Sequence, residues 1–289
     1  MFTRAIVRPP AANFAEGLTS ANLGAPEYER ALKQYEAYCR ALEQCGLTLT
    51  RLEPDERYPD SCFVEDTAIL TEAFPDGRAT APARGSDRCA VLTRPGAPSR
   101  TGEIASIKKA LTHFYSDILS IQPPGTVDGG DVCEAGDHFF IGISERTNEN
   151  GARQLAEMLA PFGYTSSFVD ISKSGTGVPP VTRARAQDAR ATNGILHLKS
   201  GLSCLGDNRL VVIEELASRS VFSKYDLVRV NTAEMYAANC VKVNDHVLLA
   251  AGYPILESKL RELGYQTIAL DMTEFQKMDG GLSCLSLRF

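Results

Sequence analysis

Residues 256–270 read Leu256-Glu-Ser-Lys-Leu260-Arg-Glu-Leu-Gly264-Tyr-Gln-Thr-Ile-Ala-Leu270. Leu256, Leu260 and Leu263 fall at helical spacing and share one face of an amphipathic helix. Gly264 follows where a helix end favours a left-handed residue, and Tyr265–Leu270 then reads as a strand. The same unit occurs twice more. Tyr28, Leu32, Tyr35, Cys39 and Leu42 precede Gly46 and a strand over Leu47–Leu52. Leu155, Leu159 and Phe162 precede Gly163 and a strand over Tyr164–Ile171. Ile104, Ile107, Leu111 and Phe114 form a similar helix without the glycine, and a weaker helix falls around Glu214–Ser223. Five helical units among 289 residues give roughly 58 residues each, close to the repeat lengths of propellers and arrays. Further apolar runs at Ala68–Thr71, Cys89–Thr93, Phe139–Ile143, Leu210–Ile213 and Val247–Ala251 read as extra strands. Several strands with one helix per unit favour radial α/β repetition over simple strand–helix alternation.

Composition narrows the function. Apolar residues make up 44% and charged residues 23%, as in an ordinary folded protein rather than a disordered chain. Thirty Lys and Arg against thirty-six Asp and Glu leave a net charge of −6. That balance disfavours nucleic acid as a partner and suits a cationic small molecule. No apolar run approaches the ~20 residues that span a bilayer, so no membrane partner is expected. Met1–Phe14 carries charges and prolines rather than an apolar core, which points to a cytoplasmic chain. Residues 1–289 read as a single catalytic domain with two mobile insertions, 74–87 and 174–194, rich in Gly, Pro, Arg and Ala and without apolar periodicity.

Eight cysteines, at 39, 45, 62, 89, 133, 204, 240 and 284, contain no C-x-x-C pair. Most read as buried apolar thiols. Cys284 differs in its surroundings, Asp279-Gly-Gly-Leu-Ser-Cys284, where two glycines permit close backbone approach and positive φ beside the thiol. Of four histidines, His113, His138 and His246 sit at helix edges or turns. His197 lies in Ile-Leu-His-Leu-Lys-Ser-Gly, where a polar ring in an apolar run needs a partner or a task. Asp128 and Asp131 bracket two glycines in Pro124-Gly-Thr-Val-Asp-Gly-Gly-Asp131. Asp128 is a candidate to orient His197, as a third group orients the base in a triad. Asp60, Glu65 and Asp66 put three carboxylates within seven residues, matched to a guanidinium or ammonium group. In a regular strand Glu65 and Asp66 would point to opposite faces.

These segments together resemble the dimethylarginine dimethylaminohydrolase family of the guanidine-modifying superfamily. The matching pieces are Glu16-Gly-Leu-Thr-Ser20, Pro59-Asp-Ser-Cys-Phe-Val-Glu-Asp66, Thr93-Arg-Pro-Gly96 and Asp128-Gly-Gly-Asp131, then Arg146-Thr-Asn148, Leu196-His-Leu-Lys199, Ala238-Asn-Cys240 and the Cys284 segment. They run in family order along nearly the whole chain. The departures are the two insertions and an Asp at 128 in place of Glu, a position where the family uses either acid. The resemblance implies a five-bladed α/β propeller of ββαβ repeats with fivefold pseudo-symmetry, and neither metal nor organic cofactor. It implies hydrolysis of methylated arginine to citrulline, with Cys284 as nucleophile, His197 as acid/base and Asp128 as its partner. Asp60, Glu65 and Asp66 would hold the guanidinium side of a cationic amino-acid substrate or close the site around it, and Arg94 and Arg146 would bind its α-carboxylate. Leu18 would act as a lid contact, the main chain of Leu18 and Met278 would meet the α-amino end, and a homodimer stays open. The nearest alternatives are an arginine deiminase or amidinotransferase on the same fold. A more distant one is a non-catalytic binding propeller such as translation initiation factor six.

Overall fold

The computed structural model describes residues 1–72, 88–172 and 195–289. The two insertions expected at 74–87 and 174–194 lie outside the described residues. Among the described residues, fifteen strands form five three-stranded sheets. One unit holds strands β3 (Ala68–Glu72), β4 (Arg88–Leu92) and β5 (Asp117–Ser120), with helix α2 (Ile104–Leu111) between β4 and β5. β3 and β4 are antiparallel, and the helical crossover makes β4 and β5 parallel. The next unit repeats this with β6 (Val132–Ala135), β7 (His138–Ile143), α3 (Glu149–Leu159) and β8 (Thr165–Asp170). β9 (Leu202–Gly206), β10 (Arg209–Ile213), α4 (Glu214–Ala217) and β11 (Asp226–Val230) follow. Then come β12 (Val241–Val243), β13 (His246–Ala250), α5 (Pro254–Glu262) and β14 (Gln266–Leu270).

The fifth unit is assembled from both ends of the sequence. Strand β15 (Ser286–Arg288) pairs antiparallel with β1 (Arg4–Val7), which runs through α1 (Tyr28–Gln44) to the parallel strand β2 (Thr48–Arg51). Val7 faces Ser286 in that register, so closing the ring fixes the backbone two residues beyond Cys284. The result is a five-bladed α/β propeller. First strands approach across neighbouring units, β6 with β9, β9 with β12 and β15 with β3, and enclose a central cavity of about 640 Å³.

The local reasons match the pattern in the sequence. Gly46, Gly163 and Gly264 all have φ near +90°, the left-handed conformation that ends a helix cheaply only in glycine. Helix α1 buries Ala31, Tyr35, Tyr38 and Leu42, one position off the expected stripe at its first turn. Leu256 and Leu260 are buried as expected, each worth about 1.5–3 kcal/mol. Leu263 lies past the helix and is exposed. The helix expected around Glu214–Ser223 is shorter, α4 followed by a 3-10 turn over Ser220–Phe222. No described helix is long and apolar enough to cross a membrane.

Candidate active site

A pocket of about 30 Å³ gathers Leu18, Asp60, Asp66, Asp128, Arg146, His197, Met278 and Cys284, with Arg100 and Phe63 in its wall. That volume holds one water. Cys284 lies in a 3-10 turn, Ser283–Leu285, directly before β15. The two glycines upstream act by close approach. A Cβ at Gly280 would run into the Phe63 ring, and one at Gly281 into the Asn239 amide. Positive φ occurs one residue earlier, at Asp279 (φ +55°), and not at the glycines as the sequence suggested.

His197 and Asp128 come from neighbouring turns at the inner ends of their units. Asp128 Oδ2 lies 3.2 Å from His197 Nε2, and Asp128 Oδ1 accepts the Gly96 N–H at 2.8 Å. Asp131 accepts the Leu198 N–H and the hydroxyls of Ser144 and Thr147, which anchors the turn that carries His197. Gly130 is a second glycine with a steric reason, since a Cβ there would meet the His197 ring at 2.8 Å and Asp66 Oδ1 at 2.9 Å.

Glu65 and Asp66 sit in the 3-10 turn Val64–Thr67 and diverge, as alternation would have them in a strand. Asp66 faces the pocket, where it accepts the Gly130 N–H at 2.8 Å and pairs with Arg100 at 2.6 Å. Glu65 faces the central cavity, paired with Lys199 at 2.6 Å and accepting the Ser283 hydroxyl at 2.6 Å. Arg94 is likewise absent from the pocket lining, and its guanidinium donates to the Gly125 carbonyl. Asp60 accepts the Leu18 N–H with both carboxylate oxygens at 3.1 Å, so the Leu18 loop closes over the acid.

The pocket is buried and charged. Burial opposes a charge on His197, but Asp66, Asp128 and Asp131 overcome it and push the imidazole up to about 9. Burial, then Glu65 and Asp66, push the Cys284 thiol up to about 12. Burial works against ionised Asp66, yet His197 and Arg100 hold it below the usual carboxylate range. Burial raises Asp60 and lifts Asp131 to about 6. One donor atom each from Asp66, Asp128 and His197 lies within 4.8 Å of the others, a spacing that could serve an ion. The two carboxylates instead accept from Arg100, Gly130, Gly96 and the imidazole.

Sequence reasoning missed Arg100 and gave Asp131 no role. Arg100 is buried and grips Asp66, Glu103 and the Asp60 and Phe63 carbonyls at once. Its sequence context, Pro98-Ser-Arg-Thr-Gly102, reads as an ordinary surface turn, so only the fold exposes it. The pair of acids in Asp128-Gly-Gly-Asp131 was the available signal for Asp131.

No protein-family model matches the chain. A dimethylarginine dimethylaminohydrolase of Pseudomonas aeruginosa is 41% identical over 290 residues, covering all of both chains. One of Streptomyces coelicolor is 30% identical over 286 residues, covering 99% of this chain and 96% of its own. Among solved structures, a cysteine-to-serine variant of the P. aeruginosa enzyme complexed with citrulline superposes with a TM-score of 0.85 at 41% identity over the full length of both chains.

Proposed function

The chain belongs to the dimethylarginine dimethylaminohydrolase family, and we propose that it hydrolyses Nω-methylated arginine through Cys284, with His197 as acid/base and Asp128 as the residue that orients it. The products are citrulline and dimethylamine or methylamine. The observation that carries the assignment of residues is that thiol, imidazole and carboxylate line one pocket, with the His197–Asp128 hydrogen bond already made.

A guanidinium carbon is a poor electrophile because resonance spreads its charge, so the attacking atom must be a strong nucleophile. At pH 7 the unliganded pocket holds a thiol and an imidazolium, given their positions at about 12 and about 9. A bound guanidinium adds a positive charge beside the sulfur. It favours the thiolate against Asp66 and burial, and the thiol proton passes to solvent. Thiolate attack on the central carbon gives a tetrahedral adduct. His197 donates its proton to the departing amine as the C–N bond breaks, leaving an amidino-thioether on Cys284. Neutral His197 then takes a proton from water, the water oxygen attacks, and the C–S bond breaks to release citrulline.

Asp60 and Asp66 are suited to the guanidinium, Arg146 to the α-carboxylate, and the main chain of Leu18 and Met278 to the amino end. Binding requires the Leu18 N–H to leave Asp60 and the 30 Å³ pocket to open. Glu65 would touch substrate only by releasing Lys199 and Ser283, and Arg94 only by releasing the Gly125 carbonyl. Steady-state citrulline formation from arginine, monomethylarginine and asymmetric dimethylarginine tests the substrate class. Preference for the methylated compounds is expected, and a preference for plain arginine would make the chain a deiminase.

A further inference from the structure

We infer that Asn239 is a positioning residue that locks the turn carrying Cys284 to the turn carrying His197. This inference rests on the assignment of those two residues as nucleophile and acid/base. Asn239 ends a 3-10 helix, Thr232–Ala238, and its side chain is buried between the two turns. Its Oδ1 accepts the Ser283 N–H at 3.0 Å, immediately before Cys284. Its Nδ2 donates to the Ser283 hydroxyl at 3.0 Å and to the Lys199 carbonyl at 2.9 Å, two residues beyond His197. The amide orientation is forced, because one side faces an N–H and the other a carbonyl.

The same 3-10 helix holds the nucleophile turn a second time, through the Tyr236 hydroxyl donating to the Gly280 carbonyl at 2.9 Å. Gly281 is glycine because a Cβ would collide with the Asn239 amide, which presses that turn and the clamp together. Neither Ser283 nor Lys199 faces the small pocket; both line the central cavity behind it. Asn239 therefore grips the backbone of both reacting segments from the side away from substrate. Its loss should misplace sulfur relative to imidazole without touching Asp60, Asp66 or Arg146. A displacement of about 1 Å between reacting groups costs on the order of 10²-fold in rate.

The experiment compares Asn239→Ala and the isosteric Asn239→Asp with Asn231→Ala. Asn231 caps the same 3-10 helix by accepting the Glu234 N–H and reaches neither reacting turn. Turnover is counted per active site, titrated by a halo-amidine that alkylates Cys284, so unfolded material drops out. Both Asn239 variants should lose about 10²-fold in kcat with KM within about threefold, and alkylation should slow in parallel. Asn231→Ala should lower thermal stability while keeping kcat. The inference is overturned if either titratable Asn239 variant keeps kcat, or if both variants lose folding without any change in kcat, since Asn239 is then only structural. Cys284→Ala is run alongside. If that variant still turns over, it is the assignment of the nucleophile that fails, whatever Asn239 does.

Discussion

Two cavities lie back to back near the propeller axis, and the smaller is where the chemistry converges. The central cavity measures about 640 Å³ and the pocket at Cys284 about 30 Å³. Both are lined by acids, bases and thiols. The large one carries Glu65, Glu72, Glu134, Lys199, Lys242 and Arg288 with Cys133, Cys204 and Cys240. Size is the usual first guide to a site, and here it points to the side of the Glu65–Asp66 turn away from Cys284 and His197. Acidity does not separate the two either, because burial pushes Cys240 up to about 12, the same as Cys284. What differs is commitment. In the large cavity Glu65 is held between two cations, Lys199 and Arg288. At the small one Asp66 also pairs with Arg100, but Asp66 and Asp128 in the lining and Asp131 behind it all favour the charge on a single imidazole beside a thiol. A desolvated excess of negative charge is a place for a cation.

The strongest way to break this contrast is to exchange one atom on each side. Cys284→Ser should lower citrulline formation by about 10⁴-fold or more, because the alkoxide is far less accessible than the thiolate. Cys204→Ser, facing the large cavity, should change kcat by less than about threefold. Comparable losses in both variants, read in the same citrulline assay, would remove the distinction between the two cavities.

The next contrast is between the buried and open ion pairs. Arg100 is 6% exposed and neutralises Asp66 and Glu103 together. Arg100→Leu leaves two buried carboxylates without their cation and should cost about 3–5 kcal/mol in urea unfolding. Glu103 is already raised to about 7 by burial even with Arg100 beside it. Lys242 reaches Asp207 at 3.8 Å, and that acid is largely in solvent. Lys242→Met should cost about 0–1 kcal/mol. Equal costs would mean that the Arg100 network is no tighter than a surface pair.

The same asymmetry explains what the sequence disclosed. Helices with a glycine after them were readable because apolar spacing and a left-handed stop coincide, as at Leu260 and Gly264. The first strand of most units was not. Val241-Lys-Val243 spans three residues and Val132-Cys-Glu-Ala135 four, and each sends a polar side chain into the central cavity. Such a strand shows neither a long apolar run nor a clean alternation. Cys284, His197 and Asp128 were readable through their neighbours, the glycines and the apolar run. Arg100 and Asn239 act through burial and backbone contacts that arise only when distant units close around them. Glu65 was grouped with Asp66 by proximity in sequence, and the turn that carries them sends the two to opposite cavities.

The smallest expected effect is also the most specific. His197 rises from 6.5 to about 9 against burial because Asp66, Asp128 and Asp131 favour its proton. A raised pKa means the imidazolium persists below it, so kcat, which reads the complex in which substrate has already favoured the thiolate, should fall as pH climbs through about 9, when the proton for the leaving amine is lost. The same sign governs folding. His197 contributes stability in full below 6.5 and loses it as pH rises through about 9. Asp128→Asn keeps the volume but removes one negative charge and one charge-assisted hydrogen bond at Nε2. The alkaline limb of kcat should then move down, because burial opposes the imidazolium and one of the groups that favour it is gone. Lys242→Met, in the other cavity, should leave the limb in place. A limb that stays put in Asp128→Asn, or moves up, would show that the carboxylate is not what sets the proton on His197, and the excess charge that separates the two cavities would lose its function.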